Sequence, residues 1–473
     1  MGATTNTAST FSDFDGLKVE SMISGLAIVI VAFALLIALL PFFNGPIARI
    51  VYTAVAGSFS FWYWIPALNL FTFEYIGVGN FLITPSVFDA AVMTLGVQIF
   101  VQFGLILIRP YLYSESLVLS SDETEWAYLG LMAFGLAFLS LALRFASNGF
   151  GVITQLASGL LSARELQSYA NLSSGADQSL GALVEIVAIA IGLLAMARHA
   201  FSRSLFTGDG MLAILALVMM FAASGTRAVL LQSLVVFWLV SMVRPRQRLS
   251  RQSFNPVRML ILGVGIVALL AVVSTTFIAR FAADSGYARA GSFAAVIDTL
   301  VVNNDMMREL SFSIDTMQPD SSGAVDFVLT PISYMMPRFL GFEKEIPYHL
   351  IQFNFVRIGS DLNIAEGNVF PGLVADFWLN FGYWGGFMLS FFVTIFTLFV
   401  VSLSRLAGSP MNRVSFIAVS FGFLFFCFRN ITGALGIVIV LLSSAVIVLR
   451  FLARRNASRM ARDTDMFAIN HSG

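Results

Sequence analysis

Arg280, Arg289, Arg308, Arg338 and Arg357, together with His349, fall in one long segment of a chain that is otherwise almost continuously apolar. A guanidinium stays charged at every accessible pH and presents a planar fork of donors that matches phosphate two bonds at a time. Several of them beside a bilayer face are costly unless an anion answers them. For a ligand held at a membrane surface, that anion is a lipid phosphate or pyrophosphate.

Other arginines fit the same chemistry. Arg227 lies between two apolar runs in Phe221-Ala-Ala-Ser-Gly-Thr-Arg-Ala-Val-Leu-Leu231. A tight Ser224-Gly-Thr turn there would aim backbone N–H groups and a guanidinium at one point, an anion site in outline. The alternative is an arginine that snorkels to the headgroups from a helix end. Arg164 precedes Gly175, and Arg357 precedes Gly367, at nearly matching spacing. Two loops could thus each offer an arginine to one polyanionic substrate, although glycine is frequent enough for the spacing to arise by chance. In Met336-Pro337-Arg338-Phe-Leu-Gly-Phe-Glu-Lys344 the proline fixes the chain, and Arg338 and Lys344 can face one headgroup region. Peripheral binding of lipid phosphate explains that stretch as well.

A general base is the second requirement of transfer to a hydroxyl. His349, in Glu345-Ile-Pro-Tyr-His-Leu350, suits proton abstraction near neutral pH, or is a solvated loop histidine. Its rivals are the carboxylates Asp361, Glu366 and Asp376. Asp376 falls inside an apolar, aromatic helix at an expected interface, where burial would raise its pKa towards the working range of a base. Pairing with one of the arginines is its other reading. The Asp-x-Asp pairs Asp13/Asp15 and Asp463/Asp465 sit in polar tails and read as solvated, so no metal and no cofactor is expected.

These residues must be positioned by membrane helices. The 473 residues are 58% hydrophobic and only 11% charged, against about 25% charged in soluble domains. Net charge is zero, so only its distribution is informative, and the single Cys427 supplies no disulfide framework. No nucleotide fingerprint, Walker motif, zinc spacing or short tandem repeat is present in the sequence, and no nucleic-acid partner is expected. Residues 1–21 lack a basic n-region, so they read as a polar tail and not as a cleaved signal.

Apolar runs predict an all-α polytopic membrane protein with about eleven spans (10–13), near 22–42, 50–70, 88–108, 127–145, 179–198, 211–224, 228–243, 259–278, 372–404, 413–428 and 431–450. The second is the weakest, because of Pro66. The stretch 372–404 is too long for one straight helix and is expected to begin as a short interfacial helix, break near Gly382, Gly385 and Gly386, and then span. Arg244, Arg246, Arg248, Arg251 and Arg258 crowd one loop, and Arg450, Arg454, Arg455, Arg459 and Arg462 crowd the C-terminal tail, so both are expected on the cytoplasmic side. The organisation is then a tail (1–21), a bundle (22–278) with an outer loop at 146–178, a large outer segment of interfacial helices (279–371), C-terminal spans (372–450) and a basic tail (451–473).

Three stretches carry a family resemblance: Ser224-Gly-Thr-Arg227 opening a span, Met336-Pro337-Arg338-Phe-Leu followed by Lys344, and Gly372-Leu-Val-Ala-Asp376-Phe-Trp-Leu-Asn380-Phe-Gly382-Tyr-Trp-Gly385. The order of features resembles the oligosaccharide repeat unit polymerases, the Wzy-type O-antigen polymerases of bacterial inner membranes. The last stretch departs from that family's pattern, with Asp376 where a Glu is usual and Trp378 in place of a tyrosine. The resemblance implies a GT-C-like membrane glycosyltransferase acting on the periplasmic face. It would move a growing glycan from undecaprenyl pyrophosphate to the terminal sugar hydroxyl of a new lipid-linked repeat unit. Asp376, His349 and Glu366 are then the candidate catalytic residues. Arg164, Arg227, Arg280, Arg289, Arg338 and Arg357 are the candidates to hold pyrophosphate. The implied partners are undecaprenyl-pyrophosphate-linked oligosaccharides and membrane lipids, with a chain-length regulator and a flippase as candidate protein partners. Two alternatives stand beside this reading: an O-antigen ligase transferring the same glycan to a lipid A core, and a polysaccharide transporter or flippase.

Overall fold

In hydrocarbon every backbone N–H and C=O must be satisfied within the protein, which leaves an apolar chain of this composition with helices. The computed structural model bears this out. It describes residues 8–72, 86–113, 128–148, 176–202, 205–224, 228–243, 306–320, 371–407, 409–429, 441–451, 454–455 and 458, and every regular element among them is helical. The helices are α1 (Ala8–Leu39), α2 (Pro46–Phe59), α3 (Ile65–Thr72), α4 (Ser86–Tyr113), α5 (Leu129–Asn148), α6 (Ala176–Ser202), α7 (Gly208–Ser224), α8 (Ala228–Val243), α9 (Met306–Thr316), α10 (Leu373–Phe381), α11 (Gly385–Ser404) and α12 (Pro410–Cys427), followed by α13 (Leu441–Phe451).

Among the described residues, five helical segments are long and apolar enough to cross a membrane: Ile23–Phe42, Val87–Leu112, Val184–Ser202, Leu373–Ala407 and Pro410–Cys427. Shorter apolar helices occur at Leu129–Leu143, Gly208–Phe221, Val229–Val243 and Leu441–Phe451. The described residues are therefore those of an all-helical membrane protein. Helices occupy all or part of each expected span except 259–278, which lies outside the described residues. At the start, α1 reaches back to Ala8, so the part of the polar stretch 1–21 that holds Asp13 and Asp15 is helical and continuous with the first span.

The second expected span contains Pro66, and the structure shows how the chain tolerates it. Between α2 and α3 the helix widens into a π-turn at Ser60–Trp64, and the Ile65 N–H bonds to Ser60 O. A proline ring clashes with the carbonyl four residues earlier, here Trp62, and lacks the N–H that would bond it. Widening the helix ahead of the proline relieves that conflict. The π-turn also turns a run of aromatics into the bundle. Trp62, Tyr63 and Trp64 are fully buried, and Trp62 Nε1 donates to Phe425 O of α12 at 2.7 Å.

Glycine and small hydroxyl side chains bring helices close where lipid offers no hydrophobic drive for association. α4 and α11 run side by side in one direction. Ser390 Oγ donates to Phe100 O at 2.7 Å, and a Cβ at Gly104 would lie 2.5 Å from Thr394 Oγ1. α1 is held differently. Only 22% of its spanning window is buried, and two glutamines one turn apart on α4 reach its carbonyls. Gln98 accepts from Trp64 Nε1 at 2.5 Å and donates to Ala32 O at 3.1 Å. Gln102 donates to Tyr52 Oη at 3.1 Å, which donates to Leu36 O at 2.8 Å. We expect Gln98→Leu to lower stability by about 1–2 kcal/mol, from two interhelical bonds of the strength measured in membranes. The readout is a lower thermal midpoint in detergent, and an unchanged midpoint would show that the two Gln98 bonds do not help to hold α1.

The helices define two chemically different ends. α10 meets the C-terminal end of α12, the π-turn, and the N-terminal ends of α4 and α11. Arg49, Arg109, Arg405 and Arg413 stand at the opposite ends of α2, α4, α11 and α12. At the α10 end stand Asp89, Glu309, Asp315, Asp320 and Asp376, with Arg308 and Arg429.

Candidate functional site at the short helix α10

α10 is nine residues long, and Leu373 through Asn380 are all buried. It is short because glycine stops it at both ends. Gly372 has φ +85° and Gly382 φ +55°, backbone regions that side-chain-bearing residues rarely adopt. The break expected near Gly382 is therefore real: a single turn, Gly382–Trp384, separates α10 from α11. Tyr383 is 100% exposed and Trp384 70% exposed at that turn. Exposed aromatics of this kind seat at a membrane–water interface.

The first N–H groups of a helix have no partner within it. Here they are met by distant parts of the chain. Leu373 N donates to Phe428 O at 2.9 Å, and Val374 N donates to Tyr63 Oη at 3.0 Å. Tyr63 Oη lies 3.5 Å from Phe428 O, so one hydroxyl links the π-turn, the end of α12 and the start of α10. At the other end, Leu379 O accepts from Asp320 N at 2.8 Å, and Met317 packs with Trp378 and Leu379. α9 thus runs alongside α10 in the same direction. A Cβ at Gly372 would meet Met306 Sδ at 2.9 Å, at the start of α9. We expect Tyr63→Phe, which leaves Val374 N–H without its acceptor, to cost about 1–3 kcal/mol. A thermal midpoint equal to that of the wild-type protein would remove Tyr63 from this role.

On this frame sits Asp376, 1% exposed in the first turn of α10 and close enough to Tyr63 to act on it electrostatically. A carboxylate there is favoured by the positive end of the helix dipole. One turn on, Asn380 is fully buried and its Nδ2 donates to Asp376 O at 2.7 Å. Its Oδ1 is buried and has no hydrogen-bond partner among the described residues. Leaving a buried acceptor unmet costs about 1–3 kcal/mol. α9 contributes Glu309, 7% exposed, with Arg308 Nε 3.9 Å from its Oε1, and α9 is tied to α4 where Thr94 Oγ1 lies 3.9 Å from Met307 Sδ. The described part of the site can thus take a proton at Asp376, accept hydrogen bonds at Asn380, and present one cation at its edge.

Among the residues expected to do chemistry, the structure places Asp376 on α10 and Arg308 on α9. His349, Glu366, Arg164, Arg227, Arg280, Arg289, Arg338 and Arg357 lie outside the described residues. Sequence reading did not single out Tyr63, Glu309 or the helix that carries Glu309. The apolar positions Met306, Met307, Leu310 and Ile314 recur at helical spacing and were a signal for that helix. Nothing near Tyr63 in sequence marks its hydroxyl as a cap for a helix more than three hundred residues away. No family model matches this chain, and no curated protein or solved structure matches it.

Proposed function

We propose that this protein polymerises lipid-linked oligosaccharide repeat units, in the manner of the Wzy-type polymerases its sequence resembles. The observation that carries the reading is the buried Asp376 on a short helix, bounded by Gly372 and Gly382, at one end of a membrane bundle. That helix lies within the stretch on which the resemblance rests. In this reading the chain crosses a bacterial inner membrane about eleven times in a GT-C-like arrangement. The end bearing Arg49, Arg109, Arg405 and Arg413 faces the cytoplasm with the basic C-terminal tail, and α10 faces the periplasm.

The reaction needs two kinds of group. The acceptor sugar's hydroxyl oxygen forms a bond to the anomeric carbon of the donor glycan. The bond from that carbon to the pyrophosphate oxygen breaks, and its electron pair leaves with undecaprenyl pyrophosphate. The acceptor's proton passes to the Asp376 carboxylate, with His349 and Glu366 as the other candidate bases. Arg164, Arg227, Arg280, Arg289, Arg338 and Arg357 are the groups proposed to hold the pyrophosphate as its charge grows. No cofactor is required.

Reconstitution of the purified protein with a single undecaprenyl-pyrophosphate-linked repeat unit tests this, with products read as a glycan ladder. Wild type is run beside Arg227→Ala, Arg338→Ala and Asp376→Asn, each checked for normal folding. A ladder in wild type that these substitutions abolish is the expected result. No ladder, but transfer once a lipid A core is supplied, would replace the polymerase with a ligase. Lipid movement across liposomes without any transfer would replace both with a transporter.

A further inference from the structure

Asn380 has a hydrogen-bonding problem that α10 leaves unsolved. Its Nδ2 donates to Asp376 O at 2.7 Å, and flipping the amide would set Oδ1 against that carbonyl, acceptor against acceptor. The orientation is therefore fixed and Oδ1 is directed away from the Asp376 carbonyl. That atom is buried, the residue is 0% exposed, and no donor reaches it among the described residues. The backbone of α10 is well satisfied, at Leu373 N, Val374 N, Asp376 N and Leu379 O. Elsewhere in this chain the bond back to the carbonyl four residues earlier is made by Ser58, Thr94, Ser313, Thr397 and Ser420. A hydroxyl would have done the same for Asp376 O without stranding an amide oxygen.

A stranded neutral acceptor is complementary to a neutral donor, an O–H or an amide N–H. Pyrophosphate at neutral pH offers acceptors and little else, whereas a sugar carries donors on nearly every carbon. Asp376, one helical turn away on the same side of α10, adds a second acceptor. The α10 face is thus suited to the glycan part of the substrate, and the arginines to its pyrophosphate. This inference rests on the transferase reading given above.

We propose that Asn380 Oδ1 accepts a hydrogen bond from a hydroxyl or acetamido N–H of the acceptor unit's terminal sugar, and so holds the attacking hydroxyl beside Asp376. Met317–Asp320 packs beside this part of α10, attached through Asp320 N to Leu379 O and through Met317 to Trp378 and Leu379.

The test uses the full chain in lipid nanodiscs with synthetic undecaprenyl-pyrophosphate-linked repeat units. The acceptors form a series lacking one hydroxyl, or the acetamido group, of the terminal sugar at a time. Asn380→Leu removes the amide at similar volume, and Asn380→Thr keeps a donor to Asp376 O while removing Oδ1. Both variants are expected to fold with a thermal midpoint at or above wild type, because an unmet buried acceptor has gone. Their KM for acceptor rises roughly tenfold or more, by more than kcat falls. One acceptor in the series costs the wild-type enzyme a similar factor and costs the variants nothing further, the signature of two changes acting on one hydrogen bond. An unchanged acceptor KM in Asn380→Thr, or losses from variant and acceptor that multiply, overturns the proposal while a wild-type ladder leaves the polymerase reading standing. So does a wild-type enzyme that requires an added divalent cation the variants no longer respond to, which would make Oδ1 a cation ligand. Absence of a ladder from wild type with every acceptor ends both.

Discussion

Asp376→Asn is expected to reduce the proposed glycan transfer by about 10²–10⁴-fold, the range contributed by a general base, while leaving the fold intact. An amide matches a carboxylate in shape but cannot take a proton from an acceptor hydroxyl. The frame of α10 does not depend on the Asp376 side chain, because Leu373 N, Val374 N and Leu379 O are met by Phe428 O, Tyr63 Oη and Asp320 N. Folded yield and thermal midpoint should therefore stay near wild type, so that a loss of transfer reports on chemistry. Asp376→Glu sharpens the point. It keeps the charge, lengthens the reach by one methylene, and restores the acid usual in the resembled family's pattern. It should retain activity within about tenfold of wild type, in contrast to the amide. Transfer by Asp376→Asn above a tenth of the wild-type rate would eliminate Asp376 as the base and leave His349 and Glu366.

The largest effect on stability is expected from Gly130→Ala. α5 begins at Leu129, and its first N–H groups are capped by a residue of another helix. Asp209, in the first turn of α7, accepts from Gly130 N at 3.0 Å and from Leu131 N at 2.9 Å. Its Oδ2 also lies 2.8 Å from His199 Nε2, near the end of α6. One carboxylate therefore joins three helices and places negative charge at the start of α5. The closeness this requires leaves no room for a side chain. A Cβ on Gly130 would overlap the Asp209 carbonyl oxygen and lie 2.7 Å from the carbonyl carbon. Backbone cannot turn aside as a flexible side chain can, so α5 and α7 must separate and the cap is lost with them. Overpacking costs about 1–3 kcal/mol and a lost cap about 0.5–2 kcal/mol, which together predict a loss of about 1.5–5 kcal/mol. Thermal unfolding in detergent reads this directly. Gly135→Ala is the control, since a Cβ there meets nothing within 4 Å on the same helix. Equal midpoints for the two alanine variants would refute the close approach.

What depends on local pattern can be read from the order of residues. With 58% hydrophobic residues and 11% charged, an all-helical membrane chain follows from backbone hydrogen bonding in hydrocarbon. The break in 372–404 was legible because Gly382 and its neighbours interrupt a run too long for one helix, and Asp376 stood out as an acid among Phe377, Trp378 and Leu379. The tertiary structure alone decided how that acid is held. Tyr63 caps Val374 across 311 positions of sequence, and Asp209 caps α5 from 79 positions away. Such partners leave no periodic trace, because helical periodicity reports only which face of a helix is covered and not what covers it. The same reason explains Asn380. Its place in the motif can be read from the order of residues, but its stranded Oδ1 emerges only when the positions of the surrounding donors are known.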